Sequence, residues 1–351
     1  MGKRKIKYGI VGAGLVAEFH AEALVHTDNS ELAAICDVDP VRAEKFAEKF
    51  NCAAFTDSEK FYASGIDVVA VAVPSGLHRD VAVGAARAGK HVICEKPLET
   101  TVGKCREIIA ACAEHRVLLG AILPSRYSEA AEFIREAVIA KRFGTPVLAS
   151  AQVRWYRKPE YYAGSSWRGT WALDGGGALM NQGIHTIDLL RFFNGEVERV
   201  YASATRRLHL GIEVEDTVCA QLRFANGSLG SFEASTACSP GFPRRLELSG
   251  TTGSVVLEEG RITRWDFAEA RPEDEEIRRF FAEREQHPGG AVAPESMSWE
   301  GHRRQFIEFS EAIADKTALK TPGEEGLRTV ALVRAVYDSA SSGRPVAPEA
   351  C

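Results

Sequence analysis

The chain has 351 residues, of which 45% are hydrophobic and 26% charged, with a formal net charge of −5. That length is large for one hydrophobic core and comfortable for two domains, and the composition is that of an ordinary globular protein. The mild acidity excludes the broad positive field of a nucleic-acid or anionic-membrane binder, and no apolar run approaches the ~18 residues that would span a bilayer.

The opening stretch MGKRKIKYGIVGAGLVAEFH has basic residues before an apolar run, but glycines, Glu18 and His20 interrupt it, which argues against a secretory signal. The eight cysteines, at 36, 52, 94, 105, 112, 219, 238 and 351, form no CxxC pair and no metal-ligand cluster with histidine. Reduced thiols, a cytoplasmic location and no bound metal are therefore expected.

In chain order, short apolar runs alternate with amphipathic stretches over the first ~120 residues. Strands are predicted at 6–11, 31–36, 68–73, 91–94 and 118–122. Helices are predicted at 16–26, 41–50, 79–88 and 102–115. Such alternation implies an α/β domain with a doubly wound parallel sheet over residues 1–123, because parallel strands need helical crossovers. After a linking helix at 125–139, strand-like runs follow one another at 147–156, 197–205, 217–224, 228–236, 244–249 and 254–258. Asn226-Gly227 marks a hairpin between two of them. Residues 124–351 are thus expected to form an α+β domain with a large, mostly antiparallel sheet. One helix, 177–193, interrupts that sheet. Residues 268–298 read as an exposed, weakly periodic excursion, and helices at 299–315 and 323–341 close the chain.

Gly12-Ala13-Gly14-Leu15-Val16-Ala17 follows the first strand and opens the first helix, which is GxGxxA in its proper context. The first glycine permits a tight turn, the second lets backbone approach a pyrophosphate, and the small third position lets helix pack on strand. Backbone N–H groups at the helix start, around Leu15 and Val16, would hold the phosphate charge. Asp37 ends the next strand, where an acid reaches the adenine ribose hydroxyls. That acid favours NAD over NADP, although Arg42 is near enough in sequence to offset it. Pro74, Ser75 and His78 follow the strand at 68–73, and Glu95 and Lys96 follow the strand at 91–94. Both places lie on the carboxyl edge where open α/β sheets bind ligands, so these residues join the cofactor candidates.

Lys96 in Cys94-Glu95-Lys96-Pro97 could stabilise an alkoxide or, once desolvated, shuttle a proton. In GGGALMNQGIHTID, Asn181 and His185 stand four apart on one helical face, and Asp188 is placed to orient the imidazole. The triple glycine 175–177 would let the helix start press close to a ligand. Arg126, Tyr127, Arg154, Tyr156, Tyr161, Tyr162, Trp167, Arg168 and Asn181 are the substrate candidates. Aromatic faces stack on pyranose C–H surfaces, and arginines bind carboxylate or phosphate. Among them Arg126, Tyr156, Trp167, Arg168 and Asn181, with Lys96 and His185, form the preferred set. Trp155 and Trp171 read as sheet packing, and Arg157-Lys158 as a solvated loop.

GIVGAG, VPSGLHRDVAVGAARAGKHVICEKPL and GGGALMNQGIHTIDLL, with WRGTW and EVEDT, together resemble the glucose–fructose oxidoreductase/inositol dehydrogenase (Gfo/Idh/MocA) family. The resemblance implies a Rossmann domain followed by a mixed sheet that commonly mediates homodimers and homotetramers. It implies Lys96 and His185 as catalytic residues. Aspartate often stands four residues before that histidine, and Asn181 takes its place here. Asparagine there is similar to the branch acting on UDP-N-acetylglucosamine-type uronates at sugar C3. The implied activity is hydride transfer between NAD and a secondary hydroxyl of a sugar, sugar nucleotide or cyclitol. Either His185, whose imidazole type titrates near ~6.5, or Lys96 would accept the hydroxyl proton, and the other would steady the developing charge. Alternative readings are a redox-neutral NAD-dependent glycosidase and a non-catalytic dinucleotide sensor. No nucleic acid or membrane partner is expected.

Overall fold

The computed structural model describes residues 4–283 and 298–351. Its first sheet has six strands: β1 Ile6–Val11, β2 Ser30–Cys36, β3 Ala53–Phe55, β4 Val68–Val71, β5 His91–Cys94 and β6 Leu119–Ala121. They lie in the order β3-β2-β1-β4-β5-β6, all parallel. Every side chain of β4 is buried, as expected of a parallel strand covered by helices on both faces. The strand order reverses between β1 and β4, so the carboxyl ends of these two strands flank a switch point.

The second sheet has seven strands: β7 Pro146–Arg154, β8 Val197–Thr205, β9 Thr217–Phe224, β10 Leu229–Ser235, β11 Arg245–Gly250, β12 Gly253–Glu258 and β13 Arg261–Phe267. Their order is β13-β12-β11-β7-β10-β9-β8, and only the central β7–β10 pair is parallel. Alternate residues of β7 and β9, such as Ala149, Ala151, Val153, Val218, Ala220 and Leu222, enter one core with the helix Ile184–Asn194. The β9–β10 hairpin turns at Asn226-Gly227, but only Gly227 takes a positive φ, +89°. Asn226 contributes instead through its side-chain oxygen, which accepts from Ser228 N–H at 3.0 Å.

Three sequence expectations change. β3 and β13 were not anticipated: β3 is only three residues long and largely exposed, and in β13 the buried Ile262 and Trp265 are three apart, which breaks the two-residue period. The stretch read as an exposed excursion contains the helix Pro272–Ala282. It is held by Asp274, which accepts from Arg142 at 2.6 Å, from Trp265 Nε1 at 2.7 Å and from Arg271 N–H at 2.8 Å. Those bonds, Arg142's foremost, hold its carboxyl far below the usual carboxylate range. The remainder of that excursion, 284–297, lies outside the described residues.

Finally, the chain divides into two compact units, and the division is not a single cut. Residues Ser298–Val330 belong with the unit that runs to Tyr127, while Ala331–Ala350 belong with the unit that begins at Ser128. The helix Glu300–Asp315, expected in the second domain, packs in the first: Tyr8 meets Phe306 edge-on, and its hydroxyl lies 2.8 Å from Ser310 Oγ. Among the described residues no helix is long and apolar enough to cross a membrane, and no disulfide joins the cysteines.

Gln305 fastens that helix to the sheet edge. Its side-chain oxygen accepts from Leu123 N–H at 3.1 Å, and its nitrogen donates to the Ala121 carbonyl at 2.7 Å and to Thr321 Oγ1 at 2.8 Å, all buried. Gln305→Ala strands these groups and should lower stability by about 2–4 kcal/mol. Urea unfolding followed by far-UV circular dichroism measures it, and an unchanged midpoint would contradict this role for Gln305.

Candidate functional site

In the first unit, the turn after β1 is shaped as dinucleotide binding requires. Gly12 has φ +98°, and a Cβ on it would lie 2.7 Å from the Ala72 carbonyl oxygen. Gly14 has nothing within 4 Å of where its Cβ would be, so the backbone there is open to an approaching group. Ala17 is buried in the first unit's core, where a larger residue would hold helix and sheet apart. Asp37 ties the tip of β2 to this turn: one carboxylate oxygen accepts from Ala13 N–H at 2.7 Å, the other from Asp39 N–H at 3.0 Å. Arg42 stands 3.3 Å from the same carboxylate, as its sequence position suggested.

Large apolar side chains stay exposed along this edge: Leu15 and Val16 after β1, Val38 (92% exposed) after β2, and Leu77 after β4. Exposed aliphatics clustered at the carboxyl ends of adjacent strands suit a planar, partly apolar ligand such as a dinucleotide. Val38 and Leu77 were missed by sequence reasoning, because exposure of an aliphatic residue is not legible in its identity.

Several first-unit candidates are committed to the chain itself. His78 is buried with both ring nitrogens 2.9 Å from backbone carbonyls, of Pro97 and of Val73, and burial pushes its pKa down against their pull. Arg126 is buried and pairs with Glu325 at 2.8 Å. Tyr127, also buried, hydrogen-bonds Glu308. Ser75 is buried in a short 3-10 turn after Pro74.

Glu95 lies between two histidines, with Oε1 2.8 Å from His20 Nε2 and 3.6 Å from His302 Nε2, while Oε2 accepts from Lys96 N–H at 3.0 Å. Burial pushes Glu95 up, yet these imidazoles bring it well below the usual carboxylate range. His20, Glu95 and His302 are close enough to share a metal ion. The 2.8 Å spacing is nevertheless that of a hydrogen bond, since two ligands of one tetrahedral zinc stand roughly 3.3 Å apart. Lys96 itself is partly buried just beyond the end of β5.

In the second unit, Asn181 and His185 ride on a helical segment of two parts, a π-helical turn Ala178–Gly183 followed by the α-helix Ile184–Asn194. A π-turn in a helix is a frequent mark of a functional site. From 175 to 191 every residue is buried except these two. The Asn181 amide donates to Asp174 Oδ1 at 2.9 Å, and Asp174 Oδ2 accepts from Gly169 N–H at 2.8 Å, so Asp174 orients the amide. Gln182 donates to Tyr161 OH at 3.0 Å, and the Arg168 guanidinium lies 4.5 Å from the Tyr161 ring centre and 5.2 Å from that of Trp167. Tyr161, Trp167, Arg168 and Asn181 thereby form one connected group, joined by Asp174 and Gln182, which the sequence did not single out.

Other second-unit expectations change or fall elsewhere. Arg157 is buried, 5.0 Å from the Trp155 ring centre and 5.7 Å from that of Tyr161, rather than in a solvated loop. Trp171 is half-exposed and packs edge-on against Tyr337 rather than within a sheet. Tyr162 is buried with its hydroxyl 3.0 Å from Thr236 Oγ1. Arg154 lies on the sheet's outer face beside Glu233 and Phe242. Tyr156 forms an isolated bridge with Ala237. Asp188 is buried, 3.7 Å from Arg191.

The triple glycine does something other than expected. A Cβ on Gly177 would lie 1.7 Å from the Glu215 carbonyl oxygen, and one on Gly176 would lie 2.2 Å from Tyr337 Oη. These glycines make room for the protein's own chain. Glu215 is buried, and its carboxylate accepts from Gly177 N–H and Leu179 N–H, each at 2.9 Å.

Residues 6–122 match the family model described as the oxidoreductase family, NAD-binding Rossmann fold, and residues 132–256 match the GFO/IDH/MocA C-terminal domain. The solved structure of the WlbA dehydrogenase from Bordetella pertussis, in complex with NADH and UDP-GlcNAcA, is similar at a TM-score of 0.88 and 31% identity, over 99% of this chain and 100% of that one. The inositol 2-dehydrogenase of Rubrobacter xylanophilus is 31% identical over 79% of each chain. That of Rhizobium meliloti is 25% identical over 97% of this chain and 98% of its own.

Burial pushes the Glu215 carboxyl up from the ordinary 4.5 to about 7. The folded state therefore holds this proton more tightly than the unfolded state does. The resulting stabilisation is full below the unfolded value and is lost as pH rises through the folded one. Relative to Glu215→Gln, the wild-type chain should lose about 2–3 kcal/mol of stability between roughly pH 5 and pH 8. Urea unfolding of both proteins at the two pH values measures this, and a constant difference would contradict it.

Proposed function

Because the chain belongs to the Gfo/Idh/MocA oxidoreductase family, with its NAD-binding Rossmann fold at residues 6–122, we propose that it oxidises a secondary hydroxyl of a sugar-nucleotide uronate of the UDP-N-acetylglucosamine type, at sugar C3. The observation that carries this substrate class is Asn181: an amide, oriented by Asp174, stands four residues before His185, beside Tyr161, Trp167 and Arg168. An amide offers the sugar hydrogen bonds without adding a charge, and the arginine with its aromatic neighbours suits an anionic sugar. The WlbA dehydrogenase, with UDP-GlcNAcA in its complex, supports the same class.

The first-unit turn fits NAD: Gly12 and Gly14 shape the pyrophosphate approach, Asp37 is placed for the adenine ribose, and Leu15, Val16, Val38 and Leu77 offer apolar surface. Bound NAD supplies the acceptor for the hydride that leaves the alcohol carbon. The chain's own part is to take the hydroxyl proton and to steady the oxygen as it becomes a carbonyl. The His185 imidazole takes the proton, and the Lys96 ammonium stabilises the developing alkoxide. Ketone, reduced dinucleotide and one proton balance the reaction.

The same reading makes the protein a cytoplasmic homo-oligomer that associates through the outer face of the second sheet. Tyr201, Cys219 and Leu229 are exposed on its strands, while alternate residues of β9 enter the core.

With UDP-N-acetylglucosaminuronate and NAD, absorbance should report net NADH formation, and myo-inositol should be a poorer substrate. Lys96→Ala and His185→Ala should each lower kcat by about 10²–10⁴, with NADH affinity, read by fluorescence, within threefold of wild type. Near-normal turnover in both variants would overturn the assignment of these residues.

A further inference from the structure

The first four N–H groups of any helix lack intrahelical acceptors, and an N-cap serine, threonine, aspartate or asparagine ordinarily serves one of them. The segment carrying Asn181 and His185 starts at Gly177, which has no side chain for the purpose. Its acceptors come from two sequence-distant residues. Gly177 N–H donates to Glu215 Oε2 and Leu179 N–H to Glu215 Oε1, each at 2.9 Å. Ala178 N–H donates to the Glu215 backbone carbonyl at 3.2 Å, and Met180 N–H to Tyr337 Oη at 3.1 Å. Tyr337 donates its own proton to Glu215 Oε1 at 3.0 Å, so its hydroxyl is used once as donor and once as acceptor. With Asn181 N–H the intrahelical pattern begins, to the Gly177 carbonyl at 2.9 Å.

We propose that Glu215 and Tyr337 are positioning residues for Asn181 and His185, fixing the start of their helix by accepting its first four N–H groups. This rests on the reading of Asn181 and His185 as site residues. A carboxylate is acceptor-only, and here it serves two amides and a phenol.

Glu215 and Tyr337 line a cavity of about 680 Å³ that is also bordered by Trp171, Arg206, Glu213 and Arg334. Charged and titratable groups face Glu215 from each neighbouring element. The phenols of Tyr337, on the closing helix, and Tyr162, on the short helix Glu160–Ala163, feel its charge. Arg334 sits over the Tyr337 and Trp171 rings and pairs with Asp338 at 3.9 Å. Arg206 is held by the Ile212 carbonyl. Glu213 accepts from Trp171 N–H at 2.9 Å. Asp216, next in the chain, is occupied by the N–H groups of Arg207, Leu208 and His209. No other group among these reaches the start of the helix. Burial pushes the Glu215 carboxyl up to about 7.

Hydrogen–deuterium exchange of the full-length protein at one pH, read by mass spectrometry on peptides covering 175–190, tests this without any assay of turnover. Glu215→Gln should lower the protection of the amides of 177–180 at least fivefold, and Tyr337→Phe should lose protection at Met180. With a substrate that is turned over, Tyr337→Phe should lower kcat about tenfold and leave the Kd for NADH within twofold. Equal protection in Glu215→Gln, or a loss spread over the whole second sheet, would each overturn the proposal. Failure of every sugar to react would strike the functional reading alone and leave the exchange result standing.

Discussion

The backbone of Gly177 and the backbone of Glu215 approach so closely that one methyl group on the glycine would fall 1.7 Å from the glutamate carbonyl oxygen. Much of the second unit's chemistry depends on that approach. It lets Glu215 reach the start of the helix, lets the helix do without a local cap, and leaves Asn181 and His185 as the two side chains not buried between 175 and 191. Burying a carboxylate to this degree is costly, and three hydrogen bonds to its side chain compensate only in part, since the carboxyl still titrates near 7. Expensive buried ionisable groups concentrate where a structure must hold something in place or change state.

In the first unit the corresponding constraint is the left-handed Gly12, which only a glycine adopts without strain and which brings the turn against the Ala72 carbonyl. Asp37 then joins the turn after β1 to the tip of β2, so two of the loops expected to touch a dinucleotide are tied together before any ligand arrives. Glu95, between His20 and His302, holds the Lys96 backbone N–H, and the residue before Lys96 is thereby fixed by a helix just over two hundred residues further along the chain.

How much of this was legible depended on whether the relevant contact is local. β1, β4 and β5 are continuous apolar runs bounded by turn residues, and GxGxxA with Asp37 is a pattern whose partners lie within one βαβ unit, so fold and dinucleotide site could both be read from the chain. The helix Glu300–Asp315 shows its amphipathic period plainly, but a period says which face is apolar and not what will cover it; Gln305 and Phe306 pack in the first unit. Asp174, Gln182, Glu215 and Tyr337 act on residues between 5 and 157 positions away, and nothing in their own neighbourhoods marks them. One signal was present: a strongly predicted helix beginning at glycines, with no capping side chain, implies that the cap comes from elsewhere. The glycine run was instead taken to admit a ligand, and the same lack of side chains admits the protein's own chain.

In the proposed reaction a hydride leaves a sugar carbon with Lys96 and His185 handling the hydroxyl. Its most direct test uses UDP-N-acetylglucosaminuronate deuterated at sugar C3, incubated with NAD and the full-length protein, with the dinucleotide then analysed by mass spectrometry. Reduced dinucleotide carrying one deuterium, formed by wild type about 10²–10⁴ times faster than by Lys96→Ala or His185→Ala, is the predicted result. Reduced dinucleotide without deuterium, or formation at the wild-type rate by both variants, would contradict it.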